Sequence, residues 1–282
     1  MRKNWWQQDT AIFTNKMMMG AMKPNINDEE AAISLITVTY NAADTIKRTL
    51  DSISAQECGH FEHIIIDGQS SDGTLELVNT YKADNPHINI KVVSEPDEGL
   101  YHAMNKGLKM SEGKYVCFLN AGDRLHDSDS LYNVMKRMEG YAQPPGVIYG
   151  ETDIVDSEGI FLRHRDKKAP EKLSWKSFRN GMLVCHQSFY ALREICPEYD
   201  TSYRFSADFD WCVRVMKAAE QRKLPLVNTH LVLTDYLSEG MTTKNHKASL
   251  KERFQIMAHY YGYPTTFLMH VWFCIKSLFT HK

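Results

Sequence analysis

The sequence has little net charge and no close pair of cysteines. Both features exclude classes of protein. Its formal net charge is −2, which argues against a protein whose whole surface binds nucleic acid, while a local basic patch stays compatible with that charge. The six cysteines include no CxxC pair, and we interpret them as reduced thiols of a cytosolic protein rather than as a zinc site or a disulfide framework. With 43% apolar and 24% charged residues in 282 positions, the chain can build a sizeable core, in one large α/β domain or two small ones.

Glycine-rich phosphate loops are also missing. No GxGxxG pattern follows the first predicted strand, which disfavours a dinucleotide site of the Rossmann type. No GxxxxGK(S/T) pattern occurs either. A bound nucleotide must therefore be held mainly by side chains.

The chain lacks a long uninterrupted apolar run at its beginning. Asn15 and Lys16 interrupt the apolar positions there, so no signal-peptide core forms and we expect no export. We interpret residues 1–32 as a tail. The alternative is an arm that uses its Trp and Met residues against a partner or a membrane.

The last apolar stretch, residues 267–279, is interrupted by His270 and Lys276 and is too short to span a bilayer. It predicts a helix that packs on the core at the end of the chain. Alternatively, the helix dips Trp272, Phe273 and Phe279 into the inner face of the cytoplasmic membrane, which would suit an enzyme with a lipid-linked acceptor.

What the chain does contain is a regular alternation of strands and helices. Short β-branched or apolar runs are followed by apolar positions at helical spacing. This pattern predicts an α/β fold with a mainly parallel central sheet flanked by helices. The carboxyl ends of parallel strands share one edge, so four polar loops should meet in one cleft. Those loops follow Thr39, Asp67, Ser94 and Asn120.

Two of these strand ends carry chemistry. Asp67 suits hydrogen bonds to the base or hydroxyls of a nucleoside, or alternatively a helix cap. The segment Asn120–Asp123 brings an amide and a carboxylate to the sheet edge, where oxygen ligands favour a divalent cation. In isolation, a loop Asp beside a turn Gly is the competing interpretation.

Four blocks resemble the successive motifs of glycosyltransferase family 2, in the family's order and spacing: Val38–Asn41, Ile65–Thr74, Glu95–Gly107 and Leu119–Asp123. The sequence is most similar to bacterial enzymes that build exopolysaccharide, colanic-acid-type and O-antigen repeats. The resemblance covers Ile33 to Asp123 and weakens towards Thr243.

The resemblance implies a GT-A fold, with a nucleotide-sugar-binding half (residues 33–126) and an acceptor-binding, catalytic half (127–243) around one sheet. Apart from the resemblance, we expect a C-terminal helical segment (244–282) to follow, with membrane association as the alternative to packing on the core. The donor site would then be lined by Thr39, Tyr40, Asn41, Asp67, Asp97, Gly99, Asn105 and Asn120.

The resemblance also implies a divalent metal, Mg²⁺ or Mn²⁺, on the donor diphosphate. Here the sequence departs from the family pattern: Asn120 stands where the first Asp of the metal motif is usual, and Gly122 where the second is. Asp123 remains as the only carboxylate and as the expected metal ligand, so we expect weaker metal binding or a shifted register. Farther along, Glu151 and Asp153 share one face of a strand, which is expected to be solvated rather than part of the cleft.

The catalytic base is expected at the start of a helix that opens within Phe205–Trp211. The resemblance implies that Asp208 is the general base, with Ala207 replacing a Glu, and Asp210 is the reserve candidate for this role or for orienting a substrate. A helix cap accounts for either carboxylate but hardly for both. His186 and Gln187 are expected to orient acceptor or donor hydroxyls, and a structural histidine is the alternative for His186.

A polar segment after the base resembles the family's mobile loop over the diphosphate. Lys244 or His246 would contact the phosphates there, and an ordinary exposed loop is the alternative.

Together these features predict an inverting, metal-dependent glycosyltransferase of the cytoplasm or the inner membrane face. It would move a sugar from a nucleotide-diphosphate donor to a hydroxyl of a lipid-linked saccharide acceptor in surface polysaccharide biosynthesis, with no nucleic-acid partner. The alternatives are a catalytically idle nucleotide-sugar-binding module and a nucleotidyltransferase on a similar sheet. The sequence predicts neither the sugar nor the oligomeric state.

Overall fold

The structure, a computed structural model, describes residues 32–238 and 246–280. For residues 246, 247, 274 and 276–280 only the backbone is described. The expected N-terminal tail up to residue 31 and the expected phosphate contact Lys244 lie outside the described residues.

The first half of the molecule is a parallel sheet with helices on both faces. Its elements are β1 (Ile33–Thr39), α1 (Ala43–Ser54), β2 (Phe61–Asp67), α2 (Thr74–Asp84), β3 (Asn89–Ser94), α3 (Leu100–Met110) and β4 (Tyr115–Phe118). The four strands lie in the order β3-β2-β1-β4, and every neighbouring pair is parallel. This confirms the α/β pattern that the sequence predicts.

Helices cover both sides of the parallel strands, so all seven residues of β1 and of β2 are buried. Ile65 of β2 packs with residues of α1 and α2, while its neighbours Ile64 and Ile66 belong to the main core. On that other face, α3 approaches β1 so closely that a side chain at Gly107 would collide with Ile36.

The second half continues the same sheet with mixed strand directions. Its elements are β5 (Arg124–Leu125), α4 (Ser130–Lys136), β6 (Val147–Val155), β7 (Phe161–His164), β8 (Phe189–Leu192), α5 (Ala207–Gln221), β9 (Leu226–Leu237), α6 (His246–Tyr261) and α7 (Tyr263–Thr280). From β4 the order runs β8-β6-β9-β5, and β7 pairs with the free part of β6. One continuous sheet therefore joins the two halves, as the resemblance implies.

An aromatic cluster holds α5 against the sheet. Trp211 stacks on Tyr199, with ring centroids 5.1 Å apart, and donates its indole N–H to the carbonyl of Pro197 at 2.8 Å. The ring of Phe118, from β4, meets both of these rings edge to face. The start of α5 is thus fixed beside the carboxyl end of β4, which is where the polar loops converge.

The helix α7 is buried on one side only. Met269 and Phe273 are partly buried and pack against the core, in agreement with the predicted core helix. Entry of Trp272, Phe273 and Phe279 into a membrane stays a prediction, and the side chain of Phe279 is not described. The opposite side exposes 62% of Phe267, 66% of Leu268 and 56% of Trp272. Among the described residues, no helix is both long enough and apolar enough to cross a bilayer.

Candidate active site

The ends of the parallel strands meet at one edge, as expected. Thr39 is the register partner of Asp67, and Asp67 is the register partner of Ser94. The buried carboxylate of Asp67 accepts hydrogen bonds from the Ser94 hydroxyl at 2.6 Å and from the Ser70 backbone N–H at 3.0 Å. It therefore organises the loop after β2, and its predicted contact with a base stays a prediction.

The loop after β1 leaves an aromatic ring open to solvent. Asn41 has a φ of 47° and accepts a hydrogen bond from the Ser71 N–H at 2.9 Å, which joins this loop to the loop after β2. Tyr40 is 67% exposed. The hydroxyl of Thr39 is buried without a hydrogen-bond partner in the described part of the chain. A free ring and a free hydroxyl at the sheet edge fit the expected role in binding a nucleoside.

The loop before α3 contains a second carboxylate. Asp97 accepts a bond from Lys106 at 2.8 Å, and its Oδ1 lies 3.3 Å from the His102 ring. Its other oxygen is buried and has no partner among the described residues. Gly99, with a φ of 138°, turns the chain into α3.

Asn105 has a structural position in this fold. Its amide nitrogen donates to the carbonyl of Tyr199 at 3.0 Å, and its oxygen accepts from the Tyr199 N–H at 2.7 Å. The side chain thus joins α3 to the segment before α5. Its predicted contact with the donor finds no support in this arrangement and stays a prediction.

Asp123 lies buried just beyond β4. One oxygen accepts from the amide of Gln187 at 2.7 Å and the other from the backbone N–H of Leu237 at 3.0 Å. Burial raises the pKa of Asp123 to about 6, although these two hydrogen bonds lower it. The carboxylate is therefore held in place by neutral donors, and burial opposes its ionisation.

Gln187 and His186 connect Asp123 with Asp208. The side chain of Gln187 contacts Asp123, and its oxygen accepts from the Cys185 thiol at 2.7 Å. The neighbouring His186 lies with Nε2 3.4 Å from the Asn120 amide nitrogen and with Nδ1 3.4 Å from Asp208. The adjacent residues Gln187 and His186 thus connect the two carboxylates, Asp123 and Asp208.

Asp208 lies at the second position of α5, with 17% of its side chain exposed. Besides His186, the Tyr101 hydroxyl lies 3.4 Å from it, and the Phe209 N–H donates to it at 2.8 Å. Burial acts to raise its pKa, but the hydrogen bond and charge of His186, the charge of Arg253 and the Phe209 N–H outweigh burial, so the pKa of Asp208 lies below its ordinary value. An ionised, partly accessible carboxylate can accept a proton.

Asp210 does not join this group. It is buried, accepts from Arg214 at 2.6 Å and from the Tyr260 hydroxyl at 2.7 Å, and so connects α5 to α6. The reserve candidate for the base therefore has a structural ion pair. His246 begins α6, but its side chain is not described.

A second group of potential metal ligands lies elsewhere on the sheet. Atoms of His126, Asp153 and Asp235 lie within 4.8 Å of one another. Asp153 is buried beside β7 and β9, so the expectation of a solvated face for it is wrong. In this group Asp235 already accepts from Arg124 at 2.7 Å and lies 2.6 Å from His126, and Asp153 lies 2.8 Å from His164. These distances describe ion pairs rather than vacant ligand positions.

The sequence reasoning missed several neighbours of the two carboxylates. Burial is the largest cause that raises the pKa of Tyr236, and the charges of Asp123 and Asp208 raise it further. Tyr101 and Arg253 contribute from α3 and α6 to the surroundings of Asp208. Tyr101 falls within the Glu95–Gly107 block, but its contact with Asp208 is not visible in the sequence, because all three residues are brought to the site by packing between elements that are distant in sequence.

Two solved structures share the fold at low sequence identity. The S. aureus TarS fragment 1-349 in complex with UDP-GlcNAc matches with a TM-score of 0.61 and 17% identity, over 79% of this chain and 64% of that chain. This chain thus spans less than two thirds of the TarS fragment. The mannosyltransferase PcManGT from Pyrobaculum calidifontis, in complex with GDP-Man and Mn²⁺, matches with a TM-score of 0.56 and 17% identity, over 86% and 74% of the two chains. The fold is therefore the GT-A fold of glycosyltransferases.

Sequence comparison then identifies the family. Residues 34–198 match the family model "Glycosyl transferase family 2". A "PGL/p-HBAD biosynthesis glycosyltransferase" of Mycobacterium bovis is 33% identical over 64% of this chain and 68% of the relative. The "Amylovoran biosynthesis glycosyltransferase AmsB" of Erwinia amylovora is 29% identical over 72% and 71%. The chain belongs to glycosyltransferase family 2, as the resemblance predicts, and is an enzyme of the glycosyltransferase class.

Proposed function

We propose that the protein transfers a sugar, with inversion, from a nucleoside-diphosphate donor to a hydroxyl of a lipid-linked saccharide, in the biosynthesis of a surface polysaccharide. The observation that carries this proposal is the joining of Asp123 and Asp208 through the adjacent residues Gln187 and His186. The relative named for amylovoran biosynthesis and the neighbours with bound UDP-GlcNAc and GDP-Man support the substrate class.

Asp208 is the proposed general base. Its carboxylate takes the proton of the acceptor hydroxyl while the hydroxyl oxygen attacks the anomeric carbon. The bond between that carbon and the diphosphate oxygen breaks, and the nucleoside diphosphate leaves with the electron pair. Attack from the side opposite to the leaving group inverts the anomeric configuration. The ionised state of Asp208 at neutral pH, maintained by His186 and Arg253, supports this assignment.

Asp123 and Asn120 are the proposed ligands of a divalent cation. The Asn120 amide oxygen is buried and lacks a hydrogen-bond partner among the described residues, and it precedes Asp123 in the same loop. Amide and carboxylate oxygens fit the ligand preference of Mg²⁺ and Mn²⁺. Bound there, the cation would supply positive charge to the leaving diphosphate. The Mn²⁺ in the PcManGT structure supports a metal in this family of folds.

The exposed side of α7 supports an acceptor at the membrane. Phe267, Leu268 and Trp272 form an apolar surface on this helix. The short helix Trp175–Asn180 packs against α7 and carries the exposed cations Lys176 and Arg179. An exposed apolar surface on a helix that also contacts a cationic segment fits the headgroup region of an anionic membrane surface. We therefore propose peripheral contact with the inner face of the cytoplasmic membrane.

A thermal-shift screen tests the proposed donor. Nucleoside diphosphates and their sugar conjugates, with and without Mn²⁺, are added to the purified protein. We expect one family of nucleotides to raise the melting temperature, and the increase to be larger with Mn²⁺. Hydrolysis of the bound sugar nucleotide should accompany binding. Binding without hydrolysis or transfer would favour an idle binding module, and no stabilisation by any sugar nucleotide would contradict the proposal.

Vesicle sedimentation tests the membrane contact. The wild type should sediment with vesicles that contain anionic lipids and less with zwitterionic ones. Phe267→Ser with Trp272→Ser should reduce the bound fraction several-fold, since each buried aromatic contributes apolar area. The matched control, Phe161→Ser with Leu162→Ser, changes exposed apolar residues of β7 and should sediment like the wild type. Equal sedimentation of both double variants and the wild type would contradict the contact.

A further inference from the structure

The N-terminus of α5, which carries Asp208, is not capped by the side chain of the residue that precedes it. Ser206 precedes the helix, but no side chain caps the first turn in the usual way. The Ser206 hydroxyl instead bonds to Ser249 of α6, with 3.1 Å between the two hydroxyl oxygens and 3.2 Å to the Ser249 carbonyl. Besides the aromatic cluster around Trp211, contacts from α6 therefore hold the start of this helix.

Glu252 of α6 makes the strongest of these connections. Its carboxylate accepts the backbone N–H groups of Arg204 at 2.9 Å, of Phe205 at 2.7 Å and of Ser206 at 3.0 Å. Three N–H donors on one carboxylate are charge-assisted bonds, about twice as strong as bonds between neutral groups. They fix the direction in which the chain enters α5, two residues before Asp208.

A displaced helix start would change the geometry of the base. Asp208 contacts His186 and Tyr101 at 3.4 Å each, so small movements bring these groups out of reach or into closer contact. The donor side of the cleft, built from the ends of β1, β2 and β4, shares no described hydrogen bond with Glu252. A change at Glu252 should therefore affect the proton transfer and leave donor binding intact.

We propose that Glu252 is a positioning residue for sugar transfer, which holds the backbone before α5 so that Asp208 faces the acceptor hydroxyl. This inference rests on the proposed function, in which Asp208 is the base. The described hydrogen bonds of Glu252 all go to backbone N–H groups, and its charge also reaches Tyr101, the neighbour of Asp208, so Glu252 acts on the reaction through Asp208.

The test compares Glu252→Gln with the wild type at saturating donor. We expect kcat per folded molecule to fall about 10- to 100-fold, since a displacement of about 1 Å can cost that much. The KM and the calorimetric Kd for the nucleoside-diphosphate sugar should stay within about twofold. The acid limb of the pH profile of kcat should also move, because the distance between Asp208 and His186 changes. Glu252→Asp, which keeps the charge but shortens the arm, should recover part of the loss.

Tyr260→Phe is the matched control. It removes the bond from the Tyr260 hydroxyl of α6 to Asp210 of α5, and should lower the melting temperature without changing kcat per folded molecule or its pH profile. If Glu252→Gln behaves in the same way, losing stability alone, the positioning role is wrong.

Two variants keep the outcome decisive. If Glu252→Gln does not fold, Glu252→Asp takes its place: its shorter arm should lower kcat about two- to fivefold with unchanged donor Kd, and an unchanged kcat would overturn the inference. Asp208→Asn separates this inference from the proposed function. If Asp208→Asn retains turnover, the base assignment fails, and the inference about Glu252 fails with it. If Asp208→Asn is inactive while Glu252→Gln keeps its kcat, only the positioning role fails.

Discussion

Asp123 is buried and Asp208 is partly buried at the same cleft, and their surroundings shift their pKa values in opposite directions. Asp123 accepts bonds from an amide side chain and a backbone N–H, and burial raises its pKa to about 6. Asp208 lies at a helix N-terminus with His186 and Arg253 nearby, and its pKa is lowered in spite of burial. Burial dominates at Asp123 even though the charges of His186 and Arg48 oppose it, while at Asp208 the hydrogen bonds and charges of its neighbours outweigh burial, so Asp208 loses its proton at a lower pH than Asp123.

This difference suits two different roles. A base must be ionised before the acceptor arrives, which fits Asp208. A carboxylate that loses its remaining proton when a cation binds can link binding of the cation to binding of the donor diphosphate. This fits Asp123. Each variant that follows replaces one residue on which this difference between Asp123 and Asp208 depends, beginning with the largest expected effect.

Replacing the base should abolish transfer. We expect Asp208→Asn to lower kcat at least about 1,000-fold, because the amide cannot accept the proton, while donor affinity stays near that of the wild type. Asp210→Asn, two positions along the same helix, is the matched control. It loses the charge that pairs with Arg214 and one of the two oxygens that accept from Arg214 and Tyr260, so we expect roughly 1–3 kcal/mol of lost stability and nearly normal kcat per folded molecule. The reverse pattern would reassign the base to Asp210.

Replacing Asp123 should affect the cation. For Asp123→Asn we expect Mn²⁺ affinity in the presence of nucleoside diphosphate to fall at least about tenfold, measured by calorimetry, because the only carboxylate of this loop is lost. Asp153→Asn, in the ion-paired group with His126 and Asp235, should leave that affinity unchanged. If Asp153→Asn were the variant that loses Mn²⁺, the metal would belong to the other group.

Replacing His186 should raise the pKa of Asp208 towards that of Asp123. In His186→Gln the largest cause that lowers the pKa of Asp208 is removed, so this pKa rises. Because only the ionised base accepts a proton, the acid limb of kcat should move to higher pH, with less than about tenfold loss on the plateau. His164→Gln, an exposed partner of Asp153, is the control and should leave the limb in place. An unmoved limb in His186→Gln would contradict the role of His186.

The smallest effect concerns stability. The folded pKa of Asp123, about 6, lies above the ordinary 3.8, so the neutral carboxyl stabilises the fold fully below about pH 3.8, and this stabilisation is lost as the pH rises through 6. In metal-free protein, the free energy of unfolding of the wild type should therefore fall by roughly 1–3 kcal/mol between pH 4 and pH 7, and that of Asp123→Asn should not. Chemical denaturation at both pH values measures it. Parallel pH profiles for the two proteins would contradict the shift.

The parallel half of the fold could be predicted from sequence because its information is local. Strand runs such as Ile33–Thr39 and the helical spacing of the residues that follow repeat regularly, and the chirality of parallel connections brings the strand ends to one edge. The polar character of those ends, including Asp67 and Asn120, is visible in the sequence itself.

The identity of the catalytic base could not be predicted from local sequence in this way. Asp208 and Asp210 are two residues apart, about 200° around a helix, so at most one of them can face the cleft. Which one does depends on the packing of Trp211 and on contacts from α6. The resemblance to the family supplied Asp208. The amide of Asn105 illustrates the same limit, because its partner Tyr199 is 94 positions away.

The most direct measurement is a ¹³C NMR titration of Asp carboxyl groups in the metal-free protein, with the two signals assigned by their absence in Asp123→Asn and Asp208→Asn. We predict that the Asp123 signal titrates near pH 6 and that the Asp208 signal titrates below the ordinary value of 3.8. The same order of titration should persist in Asp210→Asn. Should Asp208 gain its proton at a higher pH than Asp123, the division of roles between the two carboxylates would be contradicted.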